Sequence, residues 1–202
     1  ELEEKEKLFA VLAHEMTHLL FESYWGEERK EPPVWLNEGL AMLEEEDPAA
    51  PEKSEWFQAL WVLTEGKTLN FKRFLEIQPT KHLAEEDKET VTLWYVQSYA
   101  VTYFLYRRHS RLQFQNFCRR LRDGRSLDDA LWTVYRYKDS SVLERAWKRW
   151  LKLPELRAQI DAGARKASSS ARAEPPSSRT PSSGLRSVGF KNFHYHSLVP
   201  EK

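Results

Sequence analysis

Two histidines four residues apart, His14 and His18, lie inside a stretch whose apolar residues recur at helical spacing. Leu8, Leu12, Met16 and Leu19 repeat every three or four positions, which predicts an amphipathic helix over residues 3–23. On a helix of 3.6 residues per turn, side chains at i and i+4 lie only about 40° apart. The two imidazoles can therefore reach one point from adjacent turns, the spacing a metal ion needs. Between them, Glu15 projects to the side of the pair, where a carboxylate can take a proton from a metal-bound water. The alternative reading sets both histidines against an apolar core. That is costly, because buried imidazoles need polar partners and the surrounding stripe is rich in leucine.

A catalytic zinc takes three protein ligands and keeps the fourth position open. The third ligand is expected from the next helical segment, Trp35–Glu46, where Glu38 follows His18 after nineteen residues. A loop containing Pro32-Pro33 gives the chain room to return and set Glu38 against the first helix. Asn37 is placed to hydrogen-bond a ligand from behind. Gly39, without a side chain, suits a close helix–helix approach beside the metal.

Together, V-L-A-H-E-M-T-H-L-L and P-P-V-W-L-N-E-G-L-A resemble the gluzincin metallopeptidases, more narrowly the peptidase-MA-like group related to the thermolysin and aminopeptidase N clans. The match is tight over about 40 residues and loose over the helical remainder to about residue 155. The resemblance implies that His14, His18 and Glu38 bind one Zn²⁺ and that Glu15 is the general base of peptide-bond hydrolysis. It also implies a peptide or protein substrate. Trp94-Tyr95-Val96-Gln97-Ser98-Tyr99-Ala100 resembles the Y-x-K-G-A segment of the aminopeptidase relatives, which makes Tyr95 the expected oxyanion donor. Gln97 and Ser98 depart from that pattern. Tyr99 and Tyr103 share the helix face of Tyr95, so an aromatic core stripe is an open alternative, and Tyr99 or His109 is an alternative donor. The acidic residue that thermolysin relatives carry four positions after the zinc glutamate is missing here, where Met42 stands.

Gluzincins ordinarily place a substrate-aligning sheet ahead of the His-Glu-x-x-His helix, whereas only thirteen residues precede His14. The chain opens inside a helix with Glu1-Leu2-Glu3-Glu4 and no initiator Met, so it reads as a piece of something longer. A catalytically inactive zinc-binding or protein-interaction module is accordingly the rival expectation. Endo- or exo-action, oligomeric state and compartment are left open, although relatives of this group are often extracytoplasmic bacterial proteins.

Composition narrows the remaining choices. Over 202 residues the 31 Lys+Arg and 31 Asp+Glu cancel, which argues against a nucleic-acid binder living on bulk positive charge. A single cysteine, Cys118, excludes a disulfide scaffold and any Cys-rich zinc module, and it reads as buried rather than nucleophilic. Mean hydropathy is −0.69, and no apolar run approaches the ~18 residues of a membrane span. The zero balance divides unevenly: residues 162–202 hold seven Lys/Arg and two Asp/Glu, so residues 1–161 carry −5.

The expected fold is mainly α, the helical half of a zincin-like domain over residues 1–160 with little or no sheet. A Ser/Pro/Arg-rich disordered tail is expected over 161–202, with its linker at 164–188. Further helices are expected at Ser54–Leu63, Val91–Arg108 and Arg111–Leu121, with two more opened by Ser126 and Ser141. Thr68–Phe71 and Val91–Tyr95 alternate weakly, as strands do. The eight tryptophans fit helix packing. His82, His194 and His196 are expected to play no part in the site, and Phe190, Phe193, Tyr195 and Leu198 read as a floppy end or a short docking peptide. There is no phosphate loop, nucleophile elbow or Cys-x-x-Cys.

Overall fold

A computed structural model describes residues 2–26, 31–77 and 87–171. Nine α-helices are present among them, with no strand: α1 (Leu2–Trp25), α2 (Val34–Glu44), α3 (Glu55–Thr64), α4 (Phe71–Glu76), α5 (Lys88–Arg107), α6 (Arg111–Arg122), α7 (Leu127–Tyr135), α8 (Ser140–Leu151) and α9 (Pro154–Ala171). A single 3₁₀ turn, Pro51–Lys53, precedes α3. His82, His194 and His196, the terminal aromatic segment and the tail beyond Ala171 lie outside the described residues.

Helix starts follow local chemistry. Ser54, Asn70, Asp87, Ser110 and Ser126 each accept a backbone N–H from the first turn of α3, α4, α5, α6 and α7. Such caps each contribute about 1 kcal/mol by satisfying donors that have no partner within the helix. Ser110 and Gln113 complete a reciprocal capping box. The helices α3 and α6 end against Gly66 and Gly124, whose φ of +89° and +80° other residues resist.

Two details differ from the sequence reading, the cap of α8 and the end of α9, while the two weakly alternating stretches form no strand, as the mainly helical reading expects. The N-cap of α8 is Asp139, two residues before Ser141; its carboxylate accepts both Val142 N–H and the Ser141 hydroxyl. Val91–Tyr95 lies inside α5. Thr68–Phe71 runs into α4 rather than forming a strand. Its alternation is real, with Leu69 and Phe71 buried, but a side chain takes the place of a neighbouring strand: Gln97 accepts Leu69 N–H at 2.9 Å and donates to Leu69 C=O at 3.1 Å. Finally, α9 carries the chain as helix to Ala171, past the expected boundary at 160/161 and through the first residues of the stretch expected to be disordered.

The core gathers on α5, which packs against α2, α3, α6 and α8. Trp94, Tyr99, Leu105, Phe57, Phe74 and Trp147 are all fully buried around it. The closest approach is between α2 and α5: a Cβ added at Gly39 would press on Thr102 Oγ1 and stand 2.5 Å from the Ser98 carbonyl oxygen. Five of the eight tryptophans are buried as expected, while Trp61 and Trp132 stay 40 % and 51 % exposed.

Helix α1 is different. It lies along α2 through the face bearing His14, His18, Phe21 and Trp25. The leucine stripe that reveals the helix in the sequence points the other way. Leu8, Phe9, Val11, Leu12, Met16, Leu19 and Leu20 are 48–68 % exposed. At its C-terminal end, Arg122 of α6 sits 4.7 Å over the Tyr24 ring.

Candidate metal centre

The helical phase of α1 and the turn through Pro32-Pro33 bring three donors together. One nitrogen each from His14 and His18 and one carboxylate oxygen from Glu38 lie within 4.8 Å of one another, all half-buried. The two Nε2 atoms are 3.1 Å apart, and His18 Nε2 is 4.0 Å from Glu38 Oε2. Donors about 2.1 Å from a tetrahedral zinc stand about 3.4 Å apart, between the two observed separations.

Hydrogen bonds behind the ring decide what each imidazole presents. His14 Nδ1 meets Glu45 Oε1 at 2.5 Å, and His18 Nδ1 meets Asn37 Oδ1 at 3.0 Å. Both partners are acceptors, so in the neutral rings that donate to them from Nδ1 both Nε2 atoms turn a lone pair toward the same point. Two such lone pairs 3.1 Å apart repel unless a proton or a cation lies between them. The donor set of two imidazoles and a carboxylate therefore fits a borderline divalent ion such as zinc.

The field at the cluster is negative. Burial pulls the His14 pKa down, but the Glu45 hydrogen bond and the charges of Glu45, Glu38 and Glu15 leave it raised overall. Burial raises Glu38 despite the opposing imidazoles of His18 and His14, and Glu15 and Glu45 add to the rise. Glu15 is half-buried on α1, and both His14 and Glu38 feel its charge.

Tyr95 lies on α5, 5 % exposed, edge-on to Trp94 at 4.8 Å. Burial raises its pKa strongly and the Glu38 charge raises it further, which keeps its hydroxyl protonated as a donor. Tyr99 is not available for the same work. It is fully buried, and its hydroxyl donates to Glu46 Oε2 at 2.6 Å, where Arg107 joins at 3.3 Å. His109 lies beyond the C-cap of α5, more than three turns from Tyr95 in sequence, among Phe104, Tyr135 and Tyr137. Burial and Arg108 lower its pKa, so it serves the Tyr137 hydroxyl as a neutral ring rather than a helix end as a cation. Gln97 and Ser98, the departures in this segment, have packing roles: Gln97 clamps Leu69, and Ser98 donates to Trp94 C=O beneath Gly39. Met42, four after Glu38, is core.

Glu45 is the residue that sequence reasoning missed. It lies seven positions, about two turns, after Glu38 and so returns to the same face of α2. That spacing was a usable signal, but Glu45 sits at the C-cap, where helical phase is least secure.

A family model for the Peptidase MA superfamily matches residues 8–153, and the chain belongs to that superfamily. The match covers α1 from Leu8 onward and the whole of α2 and α5. No curated protein and no solved structure matches the chain. No helix among the described residues is long and apolar enough to cross a membrane.

Proposed function

We propose that the chain is a zinc-dependent peptidase of gluzincin type, with His14, His18 and Glu38 as the ligands of one zinc ion. The observation that carries this reading is the pair of Nε2 atoms facing each other at 3.1 Å beside Glu38, each ring backed at Nδ1 by an acceptor oxygen. Superfamily membership supports the class of chemistry. A zinc ion, when bound, supplies Lewis acidity that polarises a peptide carbonyl and makes water a better nucleophile near neutral pH. Glu15, one residue from His14, takes the proton of the attacking water and returns it to the leaving amine. Tyr95 donates its hydroxyl hydrogen to the developing oxyanion, a role its retained proton supports. The apolar outer face of α1 supports the expectation that a substrate-aligning sheet packs on this helix.

Digestion of a peptide library with and without a chelator tests the proposal. Cleavage that the chelator abolishes and zinc restores is the expected result, with Glu15→Gln inactive while it still binds zinc. Zinc binding without cleavage by the unaltered chain would instead identify an inactive zinc module. Chelator-resistant cleavage, or turnover retained in Glu15→Gln, would contradict the mechanism.

A further inference from the structure

The zero net charge divides near the middle of the chain. Residues 1–106 hold 10 Lys/Arg and 22 Asp/Glu, a net of −12, and residues 107–202 hold 21 and 9, a net of +12. The acidic half supplies α1 and α2, with His14, His18 and Glu38, and all of α5 but its last residue; the basic half supplies α6 to α9. Within the basic half, α8 separates its chemistry by face. It packs inward through Leu143, Ala146, Trp147, Trp150 and Leu151. Arg145, Arg149 and Lys152 recur at i, i+4 and i+7, all exposed, and so form one stripe on the outer side. With Lys148 and Val142 they line a shallow concavity of about 340 Å³, and among the described residues no acid lines it. Val142 and the methylene stems of the cations make its walls largely apolar. Lys148 is tied to Glu144 at 2.7 Å, whereas Arg145 reaches the neutral Ser141 hydroxyl at 3.3 Å. Large apolar side chains stand near each end of the helix. Leu153, 36 % exposed, follows Lys152 directly. Trp132 of α7, 51 % exposed, comes one turn after Asp128, whose carboxylate accepts Ser140 N–H at the head of α8, and Arg136 sits 5.7 Å over its ring.

We propose that this face of α8 is a docking surface for an anionic lipid bilayer, with Arg145, Arg149 and Lys152 meeting the headgroup phosphates and Trp132 and Leu153 entering the interface. The proposal goes beyond the peptidase reading and does not depend on it. At twelve residues α8 is too short to span a bilayer and lies along its surface. Each cation close to an anionic leaflet adds to the attraction, and exposed Trp and Leu add an apolar contribution. A soluble polyanion would engage the cations and leave the apolar residues unused, which favours the bilayer as the occupant. Residues 162–202 share the positive sign of α8, so they do not complement this face. The division of charge also sets an orientation. A negative surface attracts the basic half and repels the acidic half, which turns the metal centre toward water.

Co-sedimentation of the full chain with vesicles tests this, comparing phosphatidylcholine alone with an equal mixture of phosphatidylcholine and phosphatidylglycerol. Binding to the mixed vesicles is expected, with little to phosphatidylcholine and release as salt is raised. Joint replacement by Arg145→Gln, Arg149→Gln and Lys152→Gln is expected to weaken that binding about 30- to 100-fold, with zinc content unchanged. Trp132→Ala is expected to cost a few-fold on vesicles and nothing on soluble polyglutamate. Melting curves detect misfolding; if the triple variant unfolds, Arg149→Gln by itself, expected to weaken binding about fivefold, carries the test. Absence of binding to the mixed vesicles, equal binding to both kinds, or undiminished binding by the substituted chain would overturn the proposal. Polyglutamate bound as tightly as the mixed vesicles would also overturn it, and would mark the stripe as a site for an acidic protein instead.

Discussion

Helices α1 and α5 both pack on α2, which carries Glu38, and they are held in opposite ways. Helix α5 is enclosed by α2, α3, α6 and α8, and eleven of its residues are buried. Helix α1 rests on α2 by one face and turns seven large apolar side chains outward. At 48–68 % exposure, each of those leaves about 1–2 kcal/mol of possible burial unrealised. The candidate donors straddle this divide: Glu38 stands on the helix that Gly39 presses onto α5, whereas His14 and His18 stand on the helix with the exposed apolar face. A metal ion held by these donors would act as a staple between the wall formed by α2 and α5 and helix α1, coupling its binding energy to the docking of α1.

The largest expected effect isolates chemistry on α1 from its packing. Glu15→Gln should lower peptide turnover by about 10²- to 10⁴-fold, read from initial rates, with zinc content unchanged by metal analysis. Next comes the staple itself. Zinc at a hundredfold excess over its Kd should add about 2.7 kcal/mol to the stability of the native state. Hydrogen exchange should locate the added protection in α1 and the start of α2, with the α5 amides little changed. Equal protection of both helices would erase the contrast between α1 and α5.

The reverse experiment loosens the wall. Gly39→Ala puts a methyl group against Thr102 and the Ser98 carbonyl and should cost about 1–3 kcal/mol in urea unfolding. The smallest effect is an absence of reaction. Cys118 on α6 is 4 % exposed and its thiol is pushed up to about 12 by burial, so less than one part in a thousand is thiolate at pH 8. It should resist iodoacetamide in the native protein and react once the chain is denatured. Fast labelling of the folded chain would show that the region around α6 is looser than its packing implies.

The same contrast explains what could be read from the residues alone. Helices with local signals were legible: Ser54, Ser126 and Asp123-Gly124 mark ends where the structure has them. The meeting of His14, His18 and Glu38 was legible because the i, i+4 spacing and one short return define it. Information carried by distant contacts was not. Nothing local to Leu8, Leu12 or Met16 says which side of α1 the rest of the chain covers, so the stripe that revealed the helix did not reveal its packed face. The backbone of Leu69 avoids a strand because Gln97, twenty-eight residues on, takes both of its polar groups. Ser141 satisfied the capping pattern, but Asp139 also lay within reach of the first turn and took the role. Glu45 escaped notice because its meaning depends on His14, thirty-one residues earlier, and on Trp56, eleven later.

One measurement bears most directly on the account, the zinc content and affinity of the purified chain beside its His14→Ala variant. About one equivalent of tightly held zinc is expected in the unaltered protein, with most of it lost in the variant. Less than about half an equivalent in the unaltered chain, or undiminished binding after His14→Ala, would contradict it.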